Sequence, residues 1–245
     1  MPAASPLHDR GPVVTKAQAL ADRLTTAIAV GAYSPGDRLP SERDLAELMG
    51  VSRVTVREAI RLVSGLGLLA SVRGREGGTF VTEADWTTVA PDVALRTLES
   101  ELPALREFCE YRCLVEATIA RTAAERCTEA DAELLRERLT QFDSAADSSA
   151  ARSADDRLHR EIAAVARNER LSVLSVELSR EATLGFGSEP YPDEFLSTAR
   201  REHHALVEAV IERDTARAFD VARQHYGLTL EILEAGLSKA RATTS

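Results

Sequence analysis

Four side chains in the second half of the chain have the types and spacing of a metal site. Asp155 and His159 stand four apart in DDRLHREIAAVARN, so on a helix they share one face. His203 and His225 fall in two later helical stretches, EHHALVEAVIERD and the one ending RQHY. In a helical bundle, side chains from facing helices meet in the core. One carboxylate and three imidazoles make a borderline donor set that suits a divalent ion, Zn²⁺ first, with Mn²⁺ or Ni²⁺ as alternatives. His204 adjoins His203 and has the same chemistry, so the choice between them stays open. A second group, near the start, suits nucleic acid. Arg53 and Arg57 are four apart, with Thr55 between them near the helix N-terminus. Arginine grips a guanine edge bidentately or clamps a phosphate, and helix N-terminal amides can also meet a phosphate. Arg43 precedes them on another helix. Gly74 sits in a turn where a bare backbone could approach DNA.

These residues need scaffolds, and the flanking sequence supplies them. TKAQALADRLTTAIAVG (15–31) has Leu20, Leu24, Ala27 and Ile28 at helical spacing and stops on glycine. Ser41 opens SERDLAELMG as a capping-box-like start, and Ser52 is a natural N-cap for RVTVREAIRLVSGLG. The short turn Met49-Gly50-Val51 between them makes a helix-turn-helix whose second helix reads DNA. Leu68–Val72 and Thr79–Thr82 are β-prone and flank a glycine-rich turn, which predicts a hairpin wing. Residues 83–91 look like a linker. From 92 onward only helical patterns occur, near 92–99, 103–127, 129–146, 151–168, 170–184, 193–213 and 215–240, with breaks at Pro103, Asp147-Ser148-Ser149, Asn168 and GFGSEPYP (185–192). The fold class is therefore mainly α: a winged helix-turn-helix followed by an all-α antiparallel bundle. The expected divisions are a disordered lead (1–14), a DNA-binding domain (15–82), the linker (83–91) and a helical domain (92–240).

Composition agrees. The chain of 245 residues is 44% hydrophobic but only 4% aromatic, which favours helices around a packed core. The net charge of -9 would argue against a nucleic-acid partner if it were evenly spread. Residues 1–82 instead hold ten Lys+Arg against eight Asp+Glu, and the rest hold twenty against thirty-one. A weakly basic head on an acidic body fits a DNA reader joined to a domain that is not one. No apolar run approaches the roughly 18 residues that span a bilayer, and MPAASPLHDRGP lacks a signal-peptide pattern, so a cytoplasmic protein without a membrane partner is expected. Cys109, Cys113 and Cys127 read as free thiols. The first two, one turn apart, fit helix packing better than a metal pair.

The segments PGDRLPSER, MGVSR, TVREAIR and GGTFV together resemble the DNA-binding domain of the GntR family, over residues 15–82. That resemblance implies DNA contacts at Arg43, Ser52, Arg53, Thr55, Arg57 and Gly74. Heads of this kind are joined to several kinds of body. With only Lys16 and Lys239 available, an aminotransferase-like body has no suitable Schiff-base lysine. Alternating strand patterns, needed for a chorismate-lyase-like body, are absent. The helical body is similar to the FCD domain of the FadR subfamily. DDRLHREIAAVARN, followed by His203, Asp214 and His225, resembles its metal-binding version, with Leu158 where a Phe is usual. Alignment on that pattern favours His203 over His204 as the ligand.

The resemblance further implies a small carboxylate effector on the metal, with Arg112 and Asn168 as effector-binding residues. Arg112 could equally pair with Glu116, one turn on. A homodimer reading an inverted repeat in an operator is expected, acting as a repressor that its effector releases, with the linker transmitting the change. Two other readings remain. One is a metal-free, acyl-CoA-responsive regulator like FadR. The other is a metal-dependent hydrolase carrying a DNA-binding domain, though no separate general base or nucleophile is apparent.

Overall fold

Side-chain caps set the first helices. In this computed structural model, which describes residues 15–74, 77–182, 184–186 and 192–244, the Thr15 hydroxyl accepts the Gln18 N–H and α1 runs Lys16–Ala29. The lead read at 1–14 lies outside the described residues, as do two residues of the wing turn and part of the 185–192 break. Ser41 caps α2 (Glu42–Leu48) and Ser52 caps α3 (Arg53–Gly65), each accepting the N–H three residues on. Gly50, at φ +62°, makes the left-handed turn between them. Strands β1 (Leu69–Val72) and β2 (Gly78–Val81) pair antiparallel with Leu69 opposite Val81, which completes the wing. Arg38 bridges to Phe80 on the other side of β2.

The segment 83–91, expected as a linker, is folded. Asp85 caps a single turn, α4 (Trp86–Val89), which buries Trp86, and Pro91 starts the next helix at its favoured first position. That helix, α5 (Pro91–Arg126), runs straight through Pro103. The expected break is therefore corrected. Proline removes only the bond to the Glu99 carbonyl. Pro103 and Glu99 both lie on the exposed side of the helix, where a missing bond costs least, while Leu98, Leu102 and Leu105 stay buried on the inner face.

The rest of the body is α6 (Glu129–Asp143), α7 (Ser148–Val165), α8 (Glu169–Ala182), α9 (Asp193–Ile211) and α10 (Thr215–Thr244). Helix α10 lies antiparallel along α5, as the contacts Glu99–Arg241, Arg106–Glu234 and Arg112–Thr229 require. Architecture and class match the sequence expectation: mainly helical, with one hairpin among the described residues.

Head and body share one core. Leu24, Ala27 and Val30 of the head pack in the same buried cluster as Leu98, Leu102, Ile232 and Leu237. Gly236 permits the closest approach: a Cβ there would stand 2.9 Å from Val30 Cγ1. A second core, rich in alanine, lies deeper in the body and includes Ala117, Leu135, Leu158, Ile162, Leu206 and Ala222. Small residues let these helices pack closely around the polar cluster described next. Among the described residues no helix is long and apolar enough to cross a membrane.

Candidate metal centre and nucleic-acid interface

Helices α7, α9 and α10 deliver the four predicted ligands to one point. Asp155 and His159 project from one face of α7, His203 from α9 and His225 from α10. One donor atom from each lies within 4.8 Å of all the others. His159 Nε2 is 3.1 Å from His203 Nε2, 3.1 Å from His225 Nε2 and 3.2 Å from Asp155 Oδ1. His203 Nε2 is 2.9 Å from the same carboxylate oxygen. A single ring nitrogen has one proton or one lone pair, so His159 Nε2 cannot satisfy three neighbours by hydrogen bonding. Two ligands at right angles on an ion with bonds near 2.1 Å are about 3.0 Å apart. The donor spacing fits that separation.

The far sides of the rings are supported in the same sense. Glu202 Oε2 lies 3.2 Å from His225 Nδ1, and the Tyr226 hydroxyl lies 2.9 Å from His159 Nδ1. A proton on Nδ1 facing Glu202 leaves His225 Nε2 with its lone pair turned inward, the usual outer support of a metal-bound imidazole. The edge of the His203 ring relationship is apolar: Phe142 packs against it with ring centroids 4.5 Å apart. Burial, and then the neighbouring His225, pushes His203 down to about 3 against the pull of Asp155, so at neutral pH it is a neutral donor. Burial by itself would raise the Asp155 carboxyl, but His159 and His203 outweigh it and hold it well below the ordinary range. His204 points away and contacts Asp143 at 2.8 Å. The three cysteines are buried, in no disulfide, and lie outside this cluster.

A polar recess of about 30 Å³ adjoins Asp155 and His159 and is walled by Arg112, Arg152, Arg160 and Ser175 among others. That volume holds about two waters, so a larger occupant requires side chains to move. Arg112 is buried. Its Nη1 donates to Thr229 Oγ1 at 3.3 Å, and its guanidinium lies 4.9 Å over the Tyr226 ring. Glu116 accepts from Ser175 Oγ at 2.8 Å. Asn168 is not among the residues lining this recess. It is exposed and caps α8, its Oδ1 accepting from the Arg170 and Leu171 N–H groups. Asp214 plays the corresponding local role for Arg217 at the start of α10.

In the head, Arg53 and Arg57 are exposed along α3 and Thr55 is half-buried. The Ser52 and Thr55 hydroxyls meet at 2.8 Å. Arg57 is held bidentately by Glu42 of α2, at 3.0 and 2.7 Å. Arg43 stands beside Asp44 with its side chain 79% exposed. Gly74 has φ +122° and open space where a Cβ would lie, so the wing tip depends on glycine. Val54, which no sequence motif marks, is 71% exposed on α3. A large apolar side chain facing water there is the signal that finds it.

Comparison with known proteins covers both halves. Residues 16–81 match the model of bacterial regulatory proteins of the gntR family, and residues 107–228 match that of the FCD domain. The chain is 32% identical over 231 residues to the HTH-type transcriptional regulator RmpR of Mycobacterium gastri, covering 91% of this chain and 82% of that protein. It is 32% identical over 192 residues to the galactonate operon transcriptional repressor of Escherichia coli K12, covering 76% of this chain and 83% of that one. A solved GntR family member from Pseudomonas syringae pv. tomato aligns with TM-score 0.48 and 19% identity, over 96% of this chain and 91% of that chain.

Proposed function

The chain belongs to the GntR family of bacterial regulatory proteins, with an FCD domain behind its DNA-binding head, and from that premise we propose a repressor released by a small carboxylate at a metal centre. That it is a DNA-binding transcription regulator, and not an enzyme, follows from the family and its relatives. The proposal adds the metal, the effector class, the sign of regulation and the residues.

Asp155, His159, His203 and His225 would hold a divalent ion, Zn²⁺ first. What carries this reading is the convergence of three imidazole nitrogens and a carboxylate within 4.8 Å of one another, four of their separations being 2.9–3.2 Å, with Glu202 and Tyr226 behind the rings. When bound, the ion supplies a fixed positive charge able to take a carboxylate oxygen. The chain's part is to orient that carboxylate. Arg112 and Arg152 in the recess wall supply guanidinium groups suited to it, and Ser175 a hydroxyl. A relative named for a galactonate operon makes a sugar acid the first candidate. The charged and polar lining of the recess weighs against an acyl chain there.

Residues 15–82 form the DNA-binding unit and 92–240 the effector-binding and dimerising unit. Arg53 and Arg57 face the major groove with Thr55, Val54 offers an apolar contact for a thymine methyl, and Arg43, Ser52 and Gly74 meet backbone. Two heads in a homodimer read an inverted repeat.

The test has two parts. Purified protein is analysed for metal and dialysed against Zn²⁺ with and without His203→Ala, and the duplex it selects from a random pool is titrated with carboxylates. About one Zn²⁺ per chain, lost in the variant, and carboxylate-dependent release of DNA are expected. A protein that takes up no divalent ion, or a selected duplex indifferent to every carboxylate, defeats the reading.

A further inference from the structure

One contact joins the recess to the head. Arg152 stands three residues before Asp155 on α7, hence one turn away on the same face. The residue lines the recess. Its guanidinium is ion-paired through Nη2 with Asp37 of the head and reaches Ser34 Oγ through Nη1 at 3.4 Å. Arg152 and Asp37 are both only 8% exposed. They are 115 residues apart in the chain.

Asp37 sits at a joint of the head. Its side chain accepts the Ser34 N–H at 2.6 Å, and its carbonyl accepts the Val81 N–H at 2.9 Å. On either side of it, Gly36 N–H donates to the Val81 carbonyl at 2.9 Å and Leu39 N–H to the Thr79 carbonyl at 2.8 Å. The turn is therefore fastened to β2, whose hairpin carries the wing tip. Four residues beyond Asp37, Ser41 caps α2, and α2 carries Glu42, the partner of Arg57. Wing and helix-turn-helix both hang on this turn.

We infer that Arg152 is the positioning residue through which an anion in the recess is reported to the head. The inference rests on the carboxylate-effector reading above. With the recess empty of anion, Arg152 belongs to Asp37 and fixes the turn, and with it the wing and α2, against the body. An anion beside Asp155 and His159 attracts the same guanidinium, and a shift of that one rigid fork toward the recess lengthens its pair with Asp37. Asp37, buried and with its counter-charge drawn away, then favours a turn displaced toward water. The head keeps its fold but loses its fixed orientation. Arg160, the other arginine on this face of α7, is exposed and paired with Asp156 at 2.9 Å, so it does not bridge to the head.

The test uses the full chain loaded with Zn²⁺ and the duplex selected by the wild-type protein. Arg152→Met, Asp37→Asn and the double variant are compared without any carboxylate. Asparagine keeps an oxygen for the Ser34 N–H, so the turn itself is preserved. Each single variant is expected to weaken duplex binding about tenfold and the double variant no further. Additive losses, or no loss in either single variant, overturn the inference, and recovery toward wild type in Arg152→Lys supports it. Acetate, citrate and galactonate are then screened by thermal shift. A carboxylate that stabilises the wild-type protein and releases its DNA is expected to stabilise Asp37→Asn as well, yet to change its DNA affinity less than twofold. Full release in that variant overturns the inference. If no carboxylate binds the wild-type protein, the effector reading fails, while the carboxylate-free comparison still decides the Arg152–Asp37 lock.

Discussion

Glu202 is the sharpest probe of the proposed metal centre, because it touches the back of one proposed ligand, His225, and none of the inward-facing donor atoms. Its Oε2 faces His225 Nδ1 at 3.2 Å, and its Oε1 accepts from Gln224 Nε2 at 2.8 Å. Burial pushes this carboxyl up, but His225 and Gln224 outweigh it and the group stays anionic. In Glu202→Gln, one end of the new amide becomes a donor. If its oxygen stays on His225, Gln224 can turn its own amide over and only the negative charge is lost. Outer-shell losses of this kind reduce metal affinity about 10- to 100-fold, or about 1.4–2.7 kcal/mol. If the oxygen instead stays on Gln224, an N–H faces His225 Nδ1 and drives the ring proton to Nε2, where it blocks the lone pair. The loss then exceeds about 100-fold. Zn²⁺ affinity is measured near pH 7.5 by competition with a chromogenic chelator, with circular dichroism as the fold control. Wild-type affinity in a folded variant would show that His225 does not ligate through Nε2, and the reasoning from donor spacing would fall.

Arg53→Ala is expected to weaken specific duplex binding by about 1–3 kcal/mol, which a gel-shift titration resolves and an unchanged affinity refutes. Gly236→Ala gains about 1 kcal/mol of helix propensity, but its Cβ would sit 2.9 Å from Val30 Cγ1. Overpacking costs about 1–3 kcal/mol, so urea unfolding should show a net loss of up to about 2 kcal/mol. Stabilisation by the full propensity gain would mean that the head–body seam yields freely. Asp131 caps α6 reciprocally with Thr128 and binds Arg167 at 2.7 Å. Burial raises its carboxyl, yet these partners outweigh it and hold the group below its usual 3.8. Its contribution is thus present above the ordinary carboxylate range and lost as pH falls through the depressed value. Asp131→Ala should cost about 1 kcal/mol at pH 7 and less at pH 3 in urea titrations, and a gap independent of pH would refute this.

What the sequence made legible was local. Ser41, Ser52 and Gly50 announce the helix-turn-helix because each acts within three or four residues. Asp155 and His159 were readable for the same reason, and His203 and His225 because imidazoles are few in this chain. Pro103 misled because its local penalty is overridden by the inner face of α5 against α10, with its lost bond on the exposed side of the helix. Asn168, which the family resemblance puts at the effector, caps α8 here, a role already legible in its position just before Glu169. Glu202 gave no signal, since its partner lies 23 residues away on another helix with no period connecting them. Arg152 and Asp37 are farther apart still.

The shared core limits how any effector can act on the head. Val30 packs against α10 at Gly236, and Leu24 and Ala27 share a buried cluster with Leu98 and Leu237. A free swing of the head about residues 83–91 would strip that surface, at about 25 cal/mol for each Å² of apolar area exposed. Coupling between an effector and DNA is typically only about 1–3 kcal/mol, too little to open the seam. The change must therefore pivot on the seam and leave it closed. A contact at its edge, such as Arg152 on Asp37, can alter the tilt of the wing and α2 for that energy, because it exchanges one ion pair for another. The same seam implies that residues 15–82 cut from the body would expose Val30 and its neighbours. That fragment should bind hydrophobic dye and self-associate in sedimentation, whereas a soluble, dye-negative monomer would show that the head completes its own core and that the pivot lies elsewhere.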